Sequence, residues 1–240
     1  MNVDYTSYPY PSQRMPVFAR NVVATSQPLA AQAGLEMLRK GGNAIDAAVA
    51  TAAALTVVEP TSNGIGSDNF ALIWAGGGLH GMNASGRAPI AFDISKFDGM
   101  DQIPTRGWGG VTTPGAVSGW VLAHEQFGSL PFETVLEPAI SYAREGFIVS
   151  PETGSGWSRS QRAYRDFRAW QETFAPGGRT PRIGEVFRSH GHADTLQKIA
   201  ETKGEAFYRG EVARRIADAS ATEGGMLGLE DLERHRADWV

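Results

Sequence analysis

The chain has 240 residues, 42% of them hydrophobic and 20% charged, with a formal net charge of −4 and no cysteine. That length can bury a substantial core, and the acidic balance, with no Lys/Arg cluster interleaved with aromatics, argues against nucleic acid as a partner. The absence of cysteine excludes disulfides, thiol nucleophiles and thiolate metal sites.

Residues 1–21 are polar, Pro-rich and aromatic, and are expected to form an extended arm ahead of a domain over 22–240. The N-terminus lacks a basic start and a long apolar core, so it does not read as a secretory leader. A cytoplasmic location is expected. The apolar run Ala44–Val58 is too short, and with Asp46, Thr51 and Thr56 too polar, to span a bilayer, so no membrane partner is expected.

Val22-Val23-Ala24 reads as a short strand. Ser26 and Pro28 signal a helix start, the hydroxyl capping a free amide and Pro fitting the first turn. Leu29, Ala33, Met37 and Lys40 keep helical spacing, with Leu35 and Leu38 widening the stripe, until Gly41-Gly42 closes the helix. A second helix, Ala44–Val57, is so rich in alanine that it should lie close against a neighbour, buried on several sides over a sheet, and Pro60 stops it. Asp46 reads as structural, orienting the turn at Asn43 or pairing with a base. Gly64-Ile-Gly66-Ser67-Asp68-Asn69 reads first as a helix-to-strand turn needing positive φ, and second as a loop lining a site.

Phe70–Ala75 and Leu79–Ala84 read as strands of a hairpin joined through Gly76-Gly77-Gly78. The stretch Gly76 to Gly81 fits G-x-G-x-x-G literally, but between two strands it is a turn rather than a dinucleotide site. Asn83-Ala84-Ser85 matches a glycosylation acceptor. From Thr113 a helix carries Val117, Trp120, Val121, His124 and Phe127 on one face. Phe132–Glu145 forms another, entered by Ser129-Leu130-Pro131 and closed by Gly146, with Pro138 expected to kink or divide it. Residues 154–191 have weak periodicity and read as irregular. The charges of Arg159–Arg168 read as a solvated face. His190-Gly191-His192 is a surface loop rather than a metal site, lacking convergent ligands. Helices follow at Asp194–Lys203, Glu211–Ala219 and Leu229–His235. Two strands are few for so many helices. Either the helices supply the core, or further polypeptide completes the sheet; the chain's end, without a terminating signal, favours the second.

Several ordered blocks carry a family resemblance: Val23 through Gly86-Arg87-Ala88-Pro89, Thr113-Pro114-Gly115-Ala116-Val117-Ser118-Gly119, and Pro138-Ala139 through Gly146-Phe147. Phe207-Tyr208-Arg209-Gly210 and Gly224-Gly225-Met226-Leu227 with Glu230-Asp231-Leu232 continue it. Together, over about 22–240, they resemble the large-subunit half of the γ-glutamyltransferase family. The resemblance implies an α/β (α+β) fold, specifically the helix-rich large-subunit part of an αββα N-terminal-nucleophile hydrolase sandwich. It also implies a small-subunit partner from the same precursor, a small-molecule amide or γ-glutamyl substrate, and no cofactor or metal. The family's catalytic threonine heads the small subunit, so it is expected downstream of Val240, and these residues alone should be inactive. Thr112-Thr113 is not that nucleophile, since Pro114-Gly115 follows it.

The family's large subunit offers an arginine to the substrate carboxylate within Asp-Phe-Arg-Glu-x-Ala-Pro. Alignment on Ala88-Pro89 puts Ser85 at that position, with Arg87 two residues on, on the same side of an extended chain. Arg87 and Ser85 are therefore the candidate substrate-binding residues. Guanidinium binds carboxylate as a two-pronged fork; a structural ion pair or a solvated surface arginine is the competing reading for Arg87. The Ser85-Gly86-Arg87 variant is more similar to the branch that includes cephalosporin acylases and oxamate amidohydrolase. Three readings follow: a γ-glutamyl amide hydrolase or transferase, an acylase or amidohydrolase without γ-glutamyl preference, and a non-catalytic scaffold.

Overall fold

The computed structural model describes residues 18–240, so most of the arm expected at 1–21 lies outside the described residues. The chain divides into two compact units. One comprises the residues up to Gly64 together with Val135–Asp194, and the other Ile65–Thr134 with Thr195–Val240. Among the described residues no helix is long and apolar enough to cross a membrane.

In the first unit, 22–24 is irregular rather than a strand. Helix α1 spans Pro28–Arg39, and its cap is Gln27, whose side-chain oxygen accepts from the amides of Leu29 and Ala30. The Ser26 hydroxyl, expected to cap, instead donates to Glu59 (2.7 Å). Helix α2 (Ala44–Val58) starts with a reciprocal cap: Asn43 Oδ1 accepts from Ile45 and Asp46, and Asp46 Oδ2 accepts from the Asn43 amide at 2.8 Å. Asp46 thus has the structural role read from sequence. Ala30, Ala33, Gly34 and Met37 form the buried face of α1, and the helix packs against α2. A methyl on Gly34 would overlap the Thr51 hydroxyl, so glycine on α1 and alanine on α2 set the close approach.

The unit continues with α4 (Phe132–Glu145), whose C-terminal part lies in it and which Pro138 does not divide. The 154–191 stretch, expected to be irregular, is largely ordered. After β3 (Phe147–Ile148) come α5 (Pro151–Ala163), α6 (Arg168–Phe174) and β4 (Val186–Phe187), which pairs antiparallel with β3. Ser150 caps α5 and Pro151 fills its first position. Trp157, 1% exposed, meets Phe187 at 4.7 Å and Phe174 at 5.9 Å between ring centroids. Packing by this tryptophan outweighs the polar composition that hides the helix from periodicity. His190 and His192 lie in the first turn of α7 (His190–Thr202), not in a surface loop. The His192 ring is largely buried, with Nε2 3.2 Å from Thr56 Oγ1.

The second unit is built on the hairpin β1 (Asn69–Ala75) and β2 (Gly78–Ala84), paired over their full length. The turn is Gly76-Gly77, with φ of 59° and 81°; two successive left-handed residues are what a two-residue hairpin loop needs. Gly78 is already in β2. Gly64 and Gly66 have no positive φ, so the turn before β1 does not need it. A third strand, β5 (Asp238–Trp239), comes from the chain itself and pairs with Met82 and Asn83 of β2.

One face of the hairpin packs on α3 (Ala116–Phe127), where Gly119 lets Ala84 and Met82 approach. The unit also holds the C-terminal part of α7, together with α8 (Glu205–Tyr208), α9 (Glu211–Thr222) and α10 (Leu229–Arg234). The other face of the hairpin is bare: Phe70, Leu72, Trp74 and Leu79 are 65%, 78%, 72% and 62% exposed.

Candidate functional site

The site grows from the segment that leaves β2. Residues 84–87 and 113–115 run backbone against backbone. A Cβ on Gly86 would overlap the Thr113 carbonyl, and one on Gly115 the Ala84 carbonyl. The glycines are required by space rather than by φ. Hydrogen bonds fix the register: the Thr113 amide donates to the Arg87 carbonyl (3.0 Å), and those of Gly115 and Ala116 donate to the Ser67 carbonyl (3.1 and 2.8 Å). The Gly86 amide donates to Asp68 Oδ1 (2.8 Å), and the Ser85 amide to Asn83 Oδ1 (3.0 Å). The Gly64–Asn69 loop is thus both a turn and the clamp on the segment carrying Ser85 and Arg87.

A second wall comes from α10 and β5. Asp231 accepts from the amides of Ile90 (2.7 Å) and Gly228 (2.8 Å), tying α10 to the segment after Pro89. Pairing of Asn83 with Asp238 brings β5 alongside. The result is a cleft of about 410 Å³ whose lining includes Asn83, Ser85, Arg87, Thr113, His235 and Asp238, together with Asp231, Arg234 and Arg236. Ser85 and Arg87 therefore line the same cavity.

Charges around the cleft are unequally committed. Arg234 pairs with Glu230. One nitrogen of Arg236 donates to the carbonyls of Glu233 (2.8 Å) and His235 (2.6 Å). Arg87 is exposed and makes no ion pair among the described residues. It is thus the cation most open to a ligand anion.

His235 is 7% exposed and locked. Its Nε2 lies 2.8 Å from Ser118 Oγ, and its ring stacks on Tyr208 with centroids 5.3 Å apart. The Ser118 hydroxyl donates to the Gly115 carbonyl at 2.9 Å, so its proton is committed and Nε2 carries the hydrogen. The Tyr208 hydroxyl donates to the Pro114 carbonyl (2.8 Å) and accepts from the Ser118 amide (3.0 Å). Burial pushes the Tyr208 pKa up to about 12. Burial, aided by the Arg87 charge and opposed by Asp238 and Asp68, holds His235 below its ordinary value, so it is neutral near pH 7. Sequence reading missed His235, Asp238, Ser118 and Tyr208. Ser118 and Tyr208 lie in blocks of the family resemblance, but their meeting with His235 is not written locally, since Ser118 and His235 are 117 positions apart.

Thr113 is buried, 2% exposed, within the chain, and has no free α-amine to act as its base. Among the described residues no group of three or more His, Asp or Glu could hold a metal.

Comparison with known proteins places these features in context. The family model described as gamma-glutamyltranspeptidase matches residues 30–240. The chain is 35% identical over 224 residues to glutathione hydrolase proenzyme 1 of Schizosaccharomyces pombe, covering 92% of this chain and 36% of that protein. It is 38% identical over 216 residues to the oxamate amidohydrolase proenzyme of Klebsiella pneumoniae, covering 87% and 41%. It superposes on the crystal structure of cephalosporin acylase from Bacillus halodurans with a TM-score of 0.94 at 51% identity, covering 99% of this chain and 46% of that one. The chain thus spans less than half the length of these relatives, and its helix-rich α+β architecture is that of their large-subunit portion.

Proposed function

Since the chain belongs to the gamma-glutamyltranspeptidase family, we propose that it forms the large-subunit portion of an N-terminal-nucleophile hydrolase acting on γ-glutamyl or related amide bonds. Its partner is the small subunit of the same precursor, which brings the threonine. That threonine's hydroxyl oxygen attacks the amide carbonyl while its proton passes to the residue's own α-amine, which returns it to the departing amine. The acyl group stays on the threonine until water or another amine takes it. This chain's share is to bind and orient the acyl part, with Arg87 forked onto a carboxylate and Ser85 beside it.

The observation that carries this reading is the bare face of β1 and β2. Phe70, Leu72, Trp74 and Leu79 stand exposed side by side on one sheet, and covering each is worth roughly 1.5–3 kcal/mol. A sheet with one face on helices and the other apolar and open is half of a two-sheet sandwich. Hydroxyl-radical footprinting tests it: Leu72 and Trp74 should label strongly in the 240-residue chain and be protected in the full-length protein. Equal labelling in both would remove the small subunit from that face.

A second reading, an acylase or amidohydrolase without γ-glutamyl preference, is favoured by Ser85 standing where the family pattern has arginine. Relative rates on glutathione, a glutaryl amide and oxamate separate the two.

A further inference from the structure

Asn63-Gly64 is the sole Asn-Gly pair in the sequence. It lies in the connection between α2, which ends at Val58, and β1, which begins at Asn69. Both residues are half-buried and belong to no helix or strand. Water therefore reaches them, and neither is locked in a ladder of backbone hydrogen bonds.

An asparagine side chain is electrophilic at Cγ, and the backbone nitrogen of the next residue closes a five-membered ring on it. A side chain on that next residue hinders the approach and narrows the backbone angles that allow it; glycine does neither. Asn21, Asn43, Asn69 and Asn83 are followed instead by Val22, Ala44, Phe70 and Ala84. Asn43 is also held as a helix cap, and Asn69 and Asn83 lie in strands.

We propose that Asn63 is a site of spontaneous modification, converting with age to aspartate and isoaspartate. The Gly64 nitrogen bonds to Asn63 Cγ and the Cγ–Nδ2 bond breaks. The Gly64 amide proton leaves with Nδ2 as ammonia. Water then opens the succinimide. Opening at Cγ gives aspartate; opening at the main-chain carbonyl routes the backbone through Cγ and gives isoaspartate.

The surroundings give this conversion a consequence. Asn63 Nδ2 donates to Glu59 Oε2 at 2.9 Å, and the same oxygen accepts from the Ser26 hydroxyl at 2.7 Å. The Asn63 backbone amide donates to the Glu59 carbonyl at 3.1 Å, so the two residues close one turn. Conversion puts a second carboxylate against Glu59, and an attraction becomes a like-charge repulsion. Isoaspartate also lengthens the backbone by a methylene just ahead of Ser67 and Asp68, which hold Gly86, Gly115 and Ala116.

The test ages the full-length protein at mildly alkaline pH beside a synthetic peptide of residues 60–69, whose conversion shows that the conditions suffice. Fragmentation of tryptic peptide 41–87, which holds Asn43, Asn63, Asn69 and Asn83, should place the exchange of NH2 for OH at Asn63 alone, with isoaspartate the major product. Asp98-Gly99 closes the same kind of ring but without that exchange, so mass separates the two. Gly64→Ala should slow conversion several-fold, and the same substitution in the peptide gives this comparison if the protein variant does not fold. Asn63→Asp, made directly, should lower the urea midpoint, and should cost little in a Glu59→Gln background. An Asn63 that stays amidated in the folded protein, or converts only in urea, would overturn the proposal. Conversion undiminished by Gly64→Ala would exclude ring closure and overturn it too, and an equal cost of Asn63→Asp in both backgrounds would remove Glu59 from the account.

Discussion

His192 offers a quantitative test of the first unit. Burial alone lowers its pKa from 6.5 to about 4, and Nε2 donates to Thr56 Oγ1, whose own proton goes to the Ala53 carbonyl at 2.7 Å. No carboxylate contributes to the shift. The unfolded chain therefore binds this proton more readily than the folded one. The site costs nothing above about pH 6.5, and stability falls as the pH drops towards 4. At about 1.4 kcal/mol per pH unit the full effect is roughly 3 kcal/mol, of which about 2 kcal/mol is in place by pH 5. His192→Gln keeps a donor for Thr56 and cannot titrate. Urea unfolding of the 240-residue chain at about pH 7.5 and pH 5 gives the difference in each protein. The wild type should lose about 2 kcal/mol more than the variant, since all other groups, including His235, cancel in the comparison. An identical pH dependence in both proteins would refute the burial argument.

Gly115→Ala drives a methyl into the Ala84 carbonyl and should cost about 3 kcal/mol or more. Gly66→Ala, which meets nothing within 4 Å, should be neutral or stabilising by up to about 1 kcal/mol; equal urea midpoints for the two variants would contradict the backbone-contact description. Tyr208→Phe strands the Ser118 amide and the Pro114 carbonyl and should cost about 2 kcal/mol, read as a shifted midpoint at unchanged m-value. A cost below about 0.5 kcal/mol would show that the hydroxyl does not hold this wall together.

Much of the fold is legible where local chemistry decides. Pro28 with Gly41, Asn43 with Asp46, and Gly76-Gly77 mark α1, α2 and the hairpin, because caps and turns are short-range devices. The α5 region is illegible by periodicity: Trp157 anchors it through aromatic partners 17 and 30 residues on, although Ser150-Pro151 carried a start signal that composition obscured. The site divides in the same way. Arg87 and Ser85 could be placed together because they lie within one ordered motif, and they line one cleft. That His235 lines it too could not be read, because it gets there only when α10 and β5 return to β2. His192, read as a surface histidine, is misplaced for the related reason that its partner is Thr56, 136 positions away.

The central claim is that this chain contributes an unpaired guanidinium to the recognition of an amide's acyl carboxylate. Its most direct test is kcat/KM of the matured full-length protein and of Arg87→Ala on a γ-glutamyl anilide and on an uncharged acyl anilide of similar length. Loss of a charge-assisted fork predicts a fall of about 10- to 100-fold on the first substrate, and little change on the second. Equal falls on both would assign Arg87 to the scaffold and contradict the account.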